Sequence, residues 1–287
     1  MQDTAVLSQD ISVADLHARR HKNGRIKIGV QSKSGVALKI LAAVLIGLTV
    51  YAFLSFDYKE IDFFDAAADT LHNVKTVFLE PRLSRDTIFN VLYQLLVTFC
   101  LGILSTIFGA VLAFFCALLC AKNIAASWLA NIIKSLVALV RAVPTVLWVL
   151  IFAVSAGLGS VAAVIGLTFH SFAYLTKVYA ESIEEIDSGT IEALRASGAD
   201  FWQIVFQAIL PASISRMVAW TFMRFEINFT NAVAMGAAAG AGGIGFQLYM
   251  AGSFYFDLHE MGFLTYVVVI AVILLEMVST KIKEKVK

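Results

Sequence analysis

Residues 87–121 read TIFNVLYQLLVTFCLGILSTIFGAVLAFFCALLCA, 35 residues without one charged side chain. At ~1.5 Å per residue a helix of that length exceeds a bilayer core of ~30 Å, so it either tilts strongly or starts as an interfacial turn. Thr98, Gly102, Ser105, Gly109 and Ala113 recur along it at helical spacing. A stripe of small residues lets another helix approach closely in lipid. The stretch therefore predicts a membrane helix with a close-packing face.

The rest of the chain has the same character. Of 287 residues 59% are hydrophobic and 15% charged, with a mean hydropathy of +0.80. Soluble domains carry about 25% charged residues, so this chain cannot cover a soluble fold of its size with polar surface. A net charge of +1 gives no basic excess that would argue for nucleic acid. The three cysteines, Cys100, Cys116 and Cys120, all lie in the quoted stretch and exclude a disulfide scaffold. Cys116 and Cys120 have helical spacing, but with no histidine nearby they read as buried packing, and no metal site is expected.

Working outward, the first 35 residues are polar and include Arg19, Arg20, Lys22, Arg25, Lys27 and Lys33. The first apolar run, 36–56, starts too late and is too long for a secretory signal, and reads as a first membrane helix. Residues 57–86 carry seven acids and four basic residues. After the long stretch come a span from about Ala130 to Ala156 and a fourth over Val161–Tyr179. A polar interruption then runs over Glu181–Pro211, followed by a fifth span over Ile214–Met235 and a last one over Met261–Thr280. Six spans put both ends on one side, and the basic residues before the first span and after the last assign that side to the cytoplasm. Segment 57–86 is then external, and 181–211 cytoplasmic.

Within that loop, Ile183–Ser197 is amphipathic at helical period and Gly198 should end it; a second short helix then reaches Pro211, which can start the next span. Two readings fit: an interfacial helical hairpin, or a docking element in which Ala193 and Ala196 permit close approach while Glu192 and Arg195 give polar anchors.

The motif Glu192-Ala193-x-x-x-x-Gly198, with Leu210-Pro211 following, resembles the coupling loop of ATP-binding-cassette importer permeases. It departs from that pattern at Leu194, where the family has a second alanine, and at Ala208, where it has isoleucine. Arg141-Ala142-Val143-Pro144 resembles the Arg-x-x-Pro of the third span in such permeases. His170, Arg224-Phe225-Glu226-x-Asn228 and Gly240-Ala241-Gly242-Gly243-Ile244-Gly245 are similar to the phosphonate-type branch. The resemblance covers roughly residues 87–280. It implies an all-α integral membrane protein of the type I importer permease fold with a core permease domain over 87–280. It also implies that the chain works as a homodimer in a bacterial inner membrane, with two ATPase subunits and an external substrate-binding protein. ATP and Mg would be bound by the ATPase, with no cofactor in this chain. The coupling residues would be Glu192, Ala193, Arg195, Gly198, Leu210 and Pro211. The cargo would be a phosphonate, phosphite, phosphate or another small anion.

Inside the membrane, Thr221, Arg224, Asn228 and Asn231 lie at intervals of three, four and three and share one helix face. A charge at the bilayer centre costs roughly 2.5–3.5 kcal/mol, so it faces a partner or a water-filled path. Arg224 therefore either pairs with an acid on a neighbouring helix or lines an oxyanion pathway. Glu226 sits about 200° around the helix from Arg224 and should face a neighbouring helix, with Arg141 one partner to consider. His170 either binds an anion or satisfies a buried hydrogen bond, and Pro144 should kink the third span near Arg141. The Gly240-x-Gly242-x-x-Gly245 spacing matches a dinucleotide fingerprint, but no strand precedes it; tight turning or helix packing is the expected role. The chain shows no nucleophile–base pair and no ligand cluster for an intramembrane enzyme. A secondary transporter would want acids in several spans, whereas only Glu226 is deep, with Glu276 near an end.

Overall fold

The computed structural model describes residues 18–20, 26–28, 33–56 and 62–286. Two compact units divide the chain, Met1–Ala66 and Ala67–Lys287. In the first, a short antiparallel pair joins β1 (Ala18–Arg20) to β2 (Ile26–Ile28), with Arg19 opposite Lys27. The rest of the basic segment, with Lys22 and Arg25, lies outside the described residues, as do Asp57–Ile61 and the terminal Lys287. Helix α1 (Lys33–Ser55) starts slightly earlier than the apolar run and leaves its large side chains exposed, from Val36 to Leu54. An apolar helix bare on every side has lipid as its solvent.

Helix α2 (Phe63–Leu79) occupies the acidic segment, which composition alone left without a defined structure. Its Val77 backbone meets α11 (Leu258–Val286) at Gly262, where an added Cβ would stand 2.1 Å from the Val77 carbonyl oxygen.

The quoted stretch is one unbroken helix, α3 (Ile88–Cys120). It begins at Thr87, whose hydroxyl accepts the Asn90 N–H at 3.3 Å. No interfacial turn precedes it, so its length has to be taken up by tilt or by reaching beyond the hydrocarbon. All five residues of the small stripe are buried. Three of them each let a different neighbour in. A Cβ on Gly109 would lie 2.7 Å from Ser171 Cβ on α6 (Ser160–Glu184), and one on Gly102 would lie 3.3 Å from the Phe229 backbone on α9 (Leu210–Ala239). Thr98 Oγ1 accepts the Ile244 N–H at 3.0 Å from α10 (Gly243–Tyr249).

The third span is two helices, α4 (Ser127–Ala142) and α5 (Thr145–Ala156), meeting at 89°. This is a break rather than the expected kink. Val143 takes an extended conformation, as a residue before proline does, and Pro144 becomes the cap of α5 where its missing N–H leaves no gap.

Two further boundaries correct the sequence reading. The amphipathic stretch 183–197 is not one helix: α6 runs through Glu184, and α7 (Ser188–Ala196) starts anew after a turn at Glu185–Asp187. Asp187, Ser188 and Gly189 favour caps and turns over helix interiors. Nor does Pro211 start the fifth span. Asp200 and Gln203 form a reciprocal cap, opening α8 (Phe201–Ile204), and the helix then continues without interruption to Ala239. It does so through a π turn at Val205–Ile209, where the Leu210 N–H reaches back to the Val205 carbonyl. The widened turn makes room for a proline ring that would clash in a regular α-helix.

The glycine-rich stretch closes the bundle. Gly240 caps α9 in the left-handed region at φ 60°, and α10 turns back so closely that a Cβ on Gly245 would stand 1.8 Å from the Val233 carbonyl oxygen. A second π turn, Met250–Phe254, precedes α11. Helix–turn–helix, not strand–turn–helix, removes the dinucleotide reading.

Candidate membrane pathway and coupling surface

A buried polar network joins α3, α6 and α9 at mid-helix. Arg224 (2% exposed) donates from Nε to Ser171 Oγ at 2.9 Å and from Nη2 to His170 Nδ1 at 2.9 Å. An arginine only donates, so His170 Nδ1 is the acceptor and its proton sits on Nε2. Asn228, fully buried, donates to Thr106 Oγ1 at 2.8 Å and to Ser171 Oγ at 2.7 Å. Hydrogen-bonding every polar group is what makes such burial tolerable in an apolar bundle.

Around this network two cations converge on one ring. The Arg224 guanidinium carbon lies 5.3 Å from the Tyr174 centroid and that of Arg141 lies 6.0 Å from it. Tyr174 sits four residues after His170, one turn along α6. Arg141 stands in the last turn of α4, where the helix dipole favours a cation. The break at Val143–Pro144 is what lets this helix end beside α6. Among the described residues, ion pairs join Lys75 to Glu80, Lys134 to Glu184, Lys177 to Glu181 and Arg216 to Glu185, and neither arginine of the cluster belongs to one. Cation–π contact stabilises each guanidinium without neutralising it, so the cluster stays positive.

The stripe read from the sequence therefore divides. Arg224 and Asn228 share the network with His170, and Arg141 joins through Tyr174. Thr221 belongs elsewhere: its hydroxyl donates to the Met217 carbonyl at 2.7 Å and receives the Tyr179 hydroxyl. Asn231 is half-buried a turn beyond Asn228. Glu226 lines a groove between α9 and α11 with Thr230, Val272 and Glu276, while Arg141, considered as its partner, stacks on Tyr174. The acid partner considered for Arg224 is replaced by a histidine, a serine and an aromatic face. Sequence reading missed Tyr174, Ser171 and Thr106. Ser171 and Thr106 carry no distinguishing spacing, and Tyr174 shows only as an aromatic one turn from His170.

At the α3 C-terminal end, Ile191 is 1% exposed and pins α7 into a core with Leu118, Leu175, Ile183 and Ile209. Leu194 packs against the same core, which accounts for a larger residue at that place. Glu192, Ala193, Arg195 and Gly198 line the outward side of this segment; Ala193, Arg195 and Gly198 are exposed, and Gly198 ends the turn at φ 85°. Pro211 is exposed and Leu210 half-buried on the π-turned helix behind them. At the opposite end of α3, a cavity of about 240 Å³ is lined by Arg85, Asp86, Asn90, Gln247, Tyr255 and Glu260. Beside it the Ser84 hydroxyl donates to Asp257 at 2.6 Å and holds that carboxyl below the ordinary carboxylate range.

Known proteins share parts of this arrangement. The chain is 33% identical over 156 residues to the phosphate-import permease protein PhnE of Mycolicibacterium smegmatis, covering 53% of this chain and 29% of that protein. It is 34% identical over 152 residues to the phosphite transport system permease protein PtxC of Stutzerimonas stutzeri, covering 53% of this chain and 55% of that one. The match thus spans about half or less of each relative's length. In fold it is similar to a chain of the MetNI methionine ABC transporter in an inward-facing conformation, with a TM-score of 0.64 at 24% identity over 71% of this chain and 100% of that one. A model of the binding-protein-dependent transport system inner membrane component matches residues 109–283, more than half the sequence, taking in the arginine cluster, the exposed helix and the glycine turn, and the chain belongs to that family.

Proposed function

We propose that this chain is the membrane-spanning subunit of an ATP-driven importer and forms, with a second copy, the pathway for a phosphorus oxyanion. The observation that carries the reading is the convergence of Arg141 and Arg224 on Tyr174 beside His170. An arginine at the bilayer centre costs roughly 2.5–3.5 kcal/mol, a burden that a cargo of opposite charge offsets during transit. Guanidinium groups match the planar, bidentate geometry of phosphoryl oxygens better than ammonium does. The names of the phosphate and phosphite permeases alike in sequence agree with that cargo.

In this reading the outward face of α7, with Glu192, Ala193 and Arg195, receives an ATPase subunit, one per copy. ATP and Mg belong to that partner, and an external binding protein delivers the oxyanion. Both chain ends lie in the cytoplasm and the membrane is the bacterial inner membrane, in keeping with the basic residues flanking the first and last spans. ATPase closure drives transport only by binding one arrangement of the spans better than the other. Uptake of labelled 2-aminoethylphosphonate, phosphite and phosphate by cells with and without the gene tests the assignment. Selective loss of one names the cargo; equal uptake of all three by both strains rejects the phosphorus oxyanion.

A further inference from the structure

The root of α7 is tied to α4, the helix that carries Arg141 in its last turn. Glu184, the last residue of α6, accepts Lys134 Nζ at 2.6 Å and the Lys122 N–H at 2.9 Å through the same Oε1. Asn123 adds a bond from Nδ2 to the neighbouring Ile183 carbonyl at 2.8 Å. Three donors from α4 and the loop before it thus meet one short segment, four residues before α7 begins. The Lys134 and Glu184 side chains are 35% and 27% exposed.

Lys134 and Arg141 are seven residues apart on α4, two turns, and so lie on the same face. Beyond Arg141 the 89° break separates α4 from α5. Helix α4 is therefore a short rod, fastened at its midpoint by Lys134 to the root of the exposed helix; its far end carries Arg141 and is held across the break by Trp148 of α5, whose Nε1 donates to the Val140 carbonyl at 2.9 Å. Arg216 on α9 makes a parallel link, to Glu185 and to the Ser182 carbonyl at 3.0 Å. Its pair is 42% and 62% exposed, so solvent screens it more and its contribution is smaller.

We propose that Lys134 is a positioning residue: through Glu184 it makes α4 a lever that carries movement of α7 to Arg141, two turns further along the same helix. The inference rests on the importer reading for its context, and not on the identity of the cargo. Movement passes through packed rods and discrete bonds of this kind when both ends share one two-state element.

The test uses the complete transporter with its ATPase in lipid vesicles. Ala142→Cys, beside Arg141 and exposed, is introduced where the three native cysteines are replaced by alanine. Its reaction rate with a charged thiol reagent is compared between nucleotide-free and ATP-trapped states. With Lys134 present the rate changes between the states. Lys134→Met should shrink that change about fivefold or more, Glu184→Gln should act likewise, and Lys134→Arg should restore it. The same ATP-dependent change in the Lys134→Met protein overturns the lever. So does loss of the ATPase complex by both the Met and Gln variants, since the pair would then serve assembly. Failure of every phosphorus oxyanion to cross would reject the cargo while leaving this readout in force.

Discussion

Replacing Arg224 with methionine separates the two roles its surroundings permit. The substitution deletes two charge-assisted hydrogen bonds, to Ser171 Oγ and His170 Nδ1, each at 2.9 Å. Bonds to charged groups contribute ~1.5–3 kcal/mol each, a loss of ~3–6 kcal/mol. Against this, taking a guanidinium out of the membrane interior relieves ~2.5–3.5 kcal/mol. The difference, ~0–3 kcal/mol of destabilisation, is small enough for the bundle and its ATPase complex to survive. Transport has no such compensation. Removing one charge-assisted hydrogen bond to the oxyanion in transit corresponds to a ~10–150-fold fall in kcat/KM for uptake. Initial uptake rates in proteoliposomes, with copurification of the ATPase as the assembly control, read both quantities. An Arg224→Met protein that assembles and transports within twofold of the parent would refute the pathway role. One that fails to assemble would make Arg224 a packing residue alone.

Two other outcomes are expected. Glu192 stands on α7 next to the Ile191 anchor but outside the core that Ile191 enters, so Glu192→Lys should leave thermal unfolding unchanged yet lower the amount of ATPase that copurifies; undiminished copurification removes Glu192 from the docking surface. Gly109→Val forces side-chain carbons onto Ser171, already 2.7 Å from an ideal Cβ. Overpacking costs ~1–3 kcal/mol, so its unfolding midpoint in detergent should fall, whereas an equal substitution at Gly47, open on α1, should leave the midpoint in place.

What the sequence carried best was periodicity. The stripe Thr98–Ala113 could be read because helical spacing projects those residues onto one face, and in lipid only small residues allow backbones to meet. The Glu192–Gly198 segment was legible for a similar reason, since a charged, small-residue helix between spans has few other places to sit. Boundaries were harder. Asp187 and Gly189 looked like a polar continuation of one helix, and Pro211 looked like a start, because the π turn that absorbs it depends on the Leu210 N–H finding the Val205 carbonyl. The fifth-span stripe shows the same difference at the site. Thr221 and Arg224 share a face by angle, yet Tyr179 claims one while His170 and Ser171 claim the other.

The sequence by itself determined the solvent, the number of apolar segments and the faces on which helices could approach, because these follow from composition and a period fixed by backbone geometry. Only the tertiary structure decided that Arg141 and Arg224, 83 residues apart, stand over one tyrosine, and that Lys134 fastens α4 to the root of the exposed helix. Those meetings depend on an 89° break and on which helix lies against which, and a local period along one chain segment contains no record of the neighbour it will face.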